Sequence, residues 1–256
     1  MEYDGRSDVG LRRSSNQDRW GADPGQCLFI VADGVAGSRD GGLAAELVVE
    51  QLPGYVAHHL PGDSRYQEDA AERFAAAVAQ LSDDMHAQAE TDPRIAGAAT
   101  TVVAFVIAGP RALIAHIGDS RAYLYRDAQL QQLTRDHTLI QKLIDARQVD
   151  IANVADHPAR SVLTRNVAMN PPAKADAGMV DLQPGDRLLL SSDGLHGVVD
   201  HAVLTKILGA QDNATHTCEQ LIAAANAAGG PDNITVVVLD VTGFEPGPDL
   251  AVRTGA

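Results

Sequence analysis

The run Arg187-Leu-Leu-Leu-Ser-Ser-Asp193-Gly194 stays largely apolar until it stops on an aspartate followed by glycine. It reads as a buried strand that delivers a carboxylate to its end. The same grammar recurs in Leu28-Phe-Ile-Val-Ala-Asp33-Gly34 and in Leu113-Ile-Ala-His-Ile-Gly-Asp119-Ser120. Pro231-Asp232-Asn233 mirrors it, because there the aspartate precedes the apolar run Ile234-Thr-Val-Val-Val-Leu239. If that last strand runs antiparallel to its neighbours, its start lies at the edge where theirs end, and four aspartates distant in sequence converge on one spot. Converging like charges require cations.

Outward from these strands, the apolar period changes several times. The first 20 residues are polar and Arg-rich and read as a loop between an edge strand and the first core strand, 27–32. Leu43, Ala44, Leu47, Val48 and Leu52 recur at helical spacing from Gly41 to about Leu60, with Pro53-Gly54 expected to break or kink the helix. A second helix spans roughly 66–90 on the stripe Phe74, Val78, Leu81, Met85. Segments 100–108, 111–118 and 121–126 are β-branched or alternating and are separated by turn residues, which predicts a three-strand meander. A helical stripe through Leu139, Leu143 and Ile144 leads into 145–170, which has no clean period and reads as a partly helical, mobile segment. Strands follow at about 175–181 and 187–191, then helices near 201–209 and 213–227, then a closing strand at 234–241. This order does not alternate strand and helix, so the expected class is α+β. The architecture that satisfies it is a four-layer α-β-β-α sandwich, two antiparallel sheets stacked face to face and flanked by helices. Residues 1–242 are read as one catalytic domain and 243–256 as a tail or the start of a linker.

The formal net charge of −14 argues against nucleic-acid and anionic-membrane partners, which are bound by clustered Lys and Arg. Cys27 and Cys218 are the two cysteines and carry no paired spacing, so neither a thiolate zinc site nor a disulfide framework is indicated. No stretch of about 18 uninterrupted apolar residues is present, and a cytoplasmic location is expected.

A single Asp-Gly after a strand is ordinarily a tight turn. Turn chemistry alone does not demand aspartate at four such boundaries, since Asn or Gly would serve at several of them. With Asp18 from the first loop, the set becomes Asp18, Asp33, Asp119, Asp193 and Asp232. A donor set of oxygens only selects hard cations, Mg2+ or Mn2+, over zinc or copper. Two such ions about 4 Å apart activate a bridging water and clamp a phosphoryl oxygen. Glycine beside the aspartate suits the same site, because without a side chain its carbonyl approaches a metal closely. No Ser lies in GxSxG and no Cys has the surroundings of a phosphatase nucleophile, which disfavours a covalent intermediate.

Eight segments taken together carry a family resemblance. They are Arg13 with Asn16-Gln17-Asp18, Val31-Ala-Asp-Gly34, Ala99-Thr-Thr101, Ile117-Gly-Asp-Ser-Arg-Ala-Tyr-Leu124, Leu133-Thr-Arg-Asp-His-Thr138, Val162-Leu-Thr-Arg165, Gly185-Asp-Arg-Leu-Leu-Leu-Ser-Ser-Asp-Gly-Leu195 and Asp232-Asn-Ile-Thr-Val236. In this order they resemble the motifs of the metal-dependent protein phosphatase 2C family in its bacterial form. The resemblance implies a serine/threonine phosphoprotein phosphatase that uses two Mn2+ or Mg2+ ions and a metal-bound hydroxide, with phosphorylated proteins, products of a serine/threonine kinase, as substrates. It implies that Asp33, Asp193 and Asp232 bind metal directly, that Gly34 contributes its carbonyl, and that Asp18 holds metal-bound water. Asp119 resembles the ligand of a third, weaker ion, and Arg13 the arginine that receives the substrate phosphate, a role its five-donor fork suits. Segment Asp145 to Asn170 resembles the family's flap and is assigned substrate selection, with His137 as a further candidate for substrate contact. Gln17 replaces a frequent Glu, Val35 stands where some members carry a histidine, and Ala36-Gly37 replaces Gly-Gly; none of these removes a metal ligand. The chain is expected to act as a monomer. Two rival readings are a catalytically silent phosphoprotein-binding module and a phosphatase of small metabolites.

Overall fold

The computed structural model describes residues 1–35, 40–150, 154 and 157–244. Its strands are β1 Glu2–Asp8, β2 Arg19–Asp23, β3 Leu28–Ala32, β4 Val102–Ala108, β5 Arg111–Ile117, β6 Arg121–Arg126, β7 Gln129–Gln132, β8 Asp176–Asp181, β9 Arg187–Ser191 and β10 Ile234–Asp240. The helices are α1 Gly41–His59, α2 Ala70–Thr91, α3 Leu139–Asp145, α4 Asp193–His196, α5 His201–Leu208 and α6 Ala214–Ala227, with a 3-10 turn at Gly62–Tyr66. The strands form two antiparallel sheets, ordered β1-β10-β9-β6-β7 and β2-β3-β4-β5-β8. This is the four-layer α+β sandwich that the order of elements predicts.

The uninterrupted apolar runs have a direct cause. Phe29 and Val31 of β3, Val103 and Phe105 of β4, Leu188 and Leu190 of β9, and Val237 and Leu239 of β10 meet between the sheets. The intervening residues face the other way. Leu28, Ile30, Val102 and Ala104 pack under α1 and α2, while Leu189, Val236 and Val238 pack under α4, α5 and α6. A strand covered on both faces has no place for the polar half of an alternating pattern.

Three expectations are corrected. The meander is not one sheet: β4 and β5 pair in one sheet, whereas β6 pairs with β9 and β7 in the other. The chain changes sheet at Gly118, whose φ of 112° and whose missing Cβ, which would lie 2.6 Å from Thr101, admit only glycine without strain. Helix α1 runs through Pro53 to His59. The buried stripe Val48, Leu52, Val56 holds it there against the roughly 3 kcal/mol that an interior proline costs. Residues 19–23, which begin at the end of the region read as loop, form β2 on β3. Residues 245–256, most of the expected tail, lie outside the described residues, as do Ala36 and Gly37.

At the end of β9 remote from Asp193, Arg187 is buried and binds five partners. Its Nε donates to Asp240 at 2.5 Å, and its other nitrogens donate to the carbonyls of Leu208, Ala210 and Asp212 and to Thr217. Arg187→Met keeps the apolar stem and leaves Asp240 and the carbonyls without a donor. It should lower stability by about 3 kcal/mol, seen as a fall in thermal midpoint of roughly 6 to 12 °C.

Candidate metal centre

Register brings the aspartates to one edge. Val236 of β10 pairs with Ser191 of β9, and Ser191 with Arg121 of β6, so the start of β10, the end of β9 and the start of β6 lie side by side. In the other sheet Val31 pairs with Val103 and Val102 with Ile117, which aligns the end of β3, the start of β4 and the end of β5. The Gly118-Asp119-Ser120 crossing joins these two edges. A cavity of about 240 Å³ opens between them, lined among others by Arg13, Asp33, Gly34, Asp119, Asp193 and Asp232.

Hydroxyls and amides hold these groups in place. The Asp33 amide donates to Thr101 Oγ1 at 3.1 Å, and that oxygen is 2.7 Å from Ser120 Oγ. Asp18, buried behind the cavity, accepts from Ser192 Oγ at 2.7 Å, and Ser192 Oγ in turn accepts from the Thr235 amide. Asn233 fixes the first loop: its Nδ2 donates to the carbonyls of Val9 and Ser15, and its Oδ1 accepts from the Gln17 amide. Arg13 donates to Asp232 Oδ2 at 2.7 Å. Gly34 lies so close to Gly41 and Gln17 that a Cβ would fall 2.5 Å from Gly41 backbone. Ser192, Asn233 and Thr101 escaped attention as site residues in the sequence, although each stands inside a quoted motif. Their only signal was a polar side chain at the end of an apolar run.

Burial dominates the electrostatics. It raises the Asp33 carboxyl well above the usual range, with Asp18 and Asp193 adding repulsion. Asp119 is pushed up to about 8 by burial and then by Asp193, and Asp18 to about 6 by burial against the opposing hydrogen bonds of Ser192 and Thr235. Asp193 rises through burial and its neighbour Asp232. Carboxylates held together at this cost are a donor set that hard divalent cations would relieve.

His137 does not line this cavity. It is 6 % exposed, its Nδ1 accepts from the Gly118 amide at 3.1 Å, and its Nε2 lies 3.2 Å from Asp176. Contact with substrate therefore gives way to an internal role. His116, His137 and Asp176 have metal-like spacing, but Arg165 Nη1 sits 3.0 Å from His137 Nε2 and 2.5 Å from Asp176 Oδ1. The guanidinium is the cation of that cluster. A second cavity of about 480 Å³ shares Asp119, Ser161 and Asp193 with the first and is also lined by Ile140, Ile144, Val154 and Arg160. Residues 151–153 and 155–156 of the expected flap lie outside the described residues.

A sandwich of this topology with carboxylates gathered at one sheet edge defines a class of metal-dependent hydrolases. The protein phosphatase 2C family model matches residues 11–227, and the chain belongs to that family. The serine/threonine protein phosphatase PstP of Mycobacterium tuberculosis is 36% identical over 256 residues, which are 100% of this chain and 48% of that protein. The chain thus spans about half the length of that relative. Protein phosphatase PhpP of Streptococcus pneumoniae is 33% identical over 244 residues, 94% of this chain and 98% of its own. Among solved structures, the catalytic domain of PstP in complex with two manganese ions superposes with a TM-score of 0.78 at 33% identity, covering 93% of this chain and 97% of that one. No helix among the described residues is long and apolar enough to cross a membrane.

Proposed function

We propose that the chain is a metal-dependent serine/threonine phosphoprotein phosphatase with residues 1–242 as its single catalytic domain. The observation that carries this reading is the convergence of Asp33, Gly34, Asp119, Asp193 and Asp232 with Arg13 on one cavity. Asp33, Asp193, Asp232 and the Gly34 carbonyl would hold two Mn2+ or Mg2+ ions, Asp119 a third and weaker one, and Asp18 would orient water among them. The PstP structure with two manganese ions supports that assignment. When bound, the ions supply a water acidic enough to ionise near neutral pH and positive charge for the phosphoryl oxygens. Arg13 then binds the phosphate dianion through its planar fork and stabilises the charge that develops on it. Among the described residues the cavity's hydroxyls, Thr101 and Ser161, have no histidine or lysine in the lining to activate them, which supports hydrolysis without a covalent enzyme intermediate. Segment 145–170 selects substrate from the adjoining cavity, and the protein works as a cytoplasmic monomer opposite a serine/threonine kinase.

A phosphothreonine peptide should be hydrolysed with Mn2+ and not with EDTA. Arg13→Ala should lower kcat/KM by about 10- to 100-fold, the worth of one charge-assisted contact of about 1.5 to 3 kcal/mol. Hydrolysis of small phosphorylated metabolites in preference to the peptide would favour the metabolite reading, and calorimetry without Mn2+ binding would favour a silent binding module.

A further inference from the structure

Asp119 reaches the carboxylate cluster from the connection where the chain changes sheet, and that connection has little covalent reason to hold one shape. Gly118 is the residue most free to rotate there, with φ at 112°. Two hydrogen bonds to a single residue restrain it: the Gly118 amide donates to His137 Nδ1 at 3.1 Å, and the His137 amide donates to the Gly118 carbonyl at 3.0 Å. An Nδ1 that accepts must be unprotonated, so the ring proton sits on Nε2 and is donated to Asp176 Oδ2 at 3.2 Å; Arg165 Nη1, 3.0 Å from the same nitrogen, therefore directs its hydrogens to Asp176 Oδ1 and the Lys174 carbonyl rather than to the ring. Arg165 holds Asp176 in that position through its 2.5 Å contact with Oδ1. The ring of His116 stacks on His137 with centroids 4.5 Å apart and planes 17° from parallel, and its own Nε2 donates to the Arg135 carbonyl at 2.9 Å. The imidazole is thereby locked in orientation, in tautomer and in place. His196, 3.1 Å from Ser191 Oγ, also hydrogen-bonds the Asp119 backbone.

We propose that His137 is a positioning residue, oriented by Asp176 and Arg165, that clamps the Gly118-Asp119 corner and so sets the affinity of the cation held at Asp119. The inference rests on the assignment of Asp119 as an ion ligand. Its logic is that of a histidine whose second nitrogen is fixed by a carboxylate, except that the clamped group is the backbone beside the ligand. A freed corner lets the carboxylate point elsewhere, and the ion loses a donor without any loss of the donor residue. The burial of His137 also keeps the ring neutral, which suits a nitrogen that must accept.

The test is Mn2+ titration of the full chain by calorimetry and by electron paramagnetic resonance, with circular dichroism to confirm folding. His137→Leu removes the acceptor, whereas His137→Asn carries Oδ1 where the imidazole carries Nδ1. In His137→Leu the weakest Mn2+ site should bind about 10- to 100-fold more weakly, as outer partners of metal ligands do, and His137→Asn should restore it to within about threefold of the unaltered chain. Asp176→Ala, at a half-exposed position that leaves the interior packed, should weaken the same site by several-fold and serves if His137→Leu does not fold. Unchanged binding in folded His137→Leu, or in Asp176→Ala, overturns the proposal, as does an equal loss in His137→Asn and His137→Leu. Asp119→Ala separates the two layers of the argument. If Asp119→Ala keeps every ion, the assignment of Asp119 fails; if it loses the weakest ion while His137→Leu keeps it, only the clamp fails.

Discussion

Asp193→Asn should abolish Mn2+-dependent hydrolysis of p-nitrophenyl phosphate, with kcat/KM down by about 100-fold or more, since a metal ligand contributes several kcal/mol of charge stabilisation at the reacting phosphoryl group. The same variant should behave in the opposite sense toward stability. Asp193 is buried, and burial and Asp232 raise its carboxyl, so in the ion-free protein its charge is unfavourable. Asparagine keeps the shape and removes the charge, and the thermal midpoint in EDTA should rise. Gain of stability with loss of activity separates an electrostatic role from misfolding, which would lower both. Full retained activity would remove Asp193 from the site.

In EDTA, thermal stability should fall between about pH 6.5 and pH 8, and excess Mn2+ should flatten the fall. The sign follows from which state binds protons more tightly. Asp119 at about 8 and Asp18 at about 6 stand above the 3.8 of an unperturbed aspartate, so the folded chain keeps protons that the unfolded chain has released. Their contribution is fully present below about pH 4 and is lost as pH rises through the folded values. The buried histidines act in the opposite direction. His137 is lowered to about 4, chiefly by burial, and His196 well below its usual value for the same reason, so they cost stability as pH falls from 6.5 through 4. Below pH 6.5 the two groups oppose each other; above it the carboxyls act alone. The decline should amount to about 2 kcal/mol, or roughly 4 to 8 °C in thermal midpoint. Cations occupying the cluster keep the carboxylates ionised throughout and remove the dependence. A midpoint in EDTA that stays level across this interval would show that burial and mutual repulsion do not raise these carboxyls.

Much of this was legible in the chain. The apolar runs ending on Asp33 and Asp193 named their strands to within a residue, because a strand packed on both faces must be apolar throughout and a charge can stand only where the sheet edge opens. The antiparallel return of β10 brought Asp232 to the same edge for the same reason. The helical stripes located the outer layers, and the order of elements spoke against a doubly wound parallel sheet.

Other features were not legible, and the reason is common to them. Local pattern reports whether a residue is buried, not which neighbour buries it. Pro53 speaks against a continuing helix when read alone, yet the packing of Val48, Leu52 and Val56 carries α1 past it. Segment 121–126 continues a plausible meander, and nothing in its alternation says that it crosses to the other sheet. In the sequence His137 is a histidine beside a loop that could be structural, exposed or in reach of substrate, and only the fold shows it turned inward onto the Gly118 amide. By itself the sequence determined the layers, the strand ends and the identity of the carboxylates, because these depend on one-dimensional periods of hydrophobicity and on side-chain chemistry. Tertiary structure alone decided how Asp119 reaches the others, since the sheet change at Gly118 depends on contacts with residues far apart in the chain, Thr101 and His137.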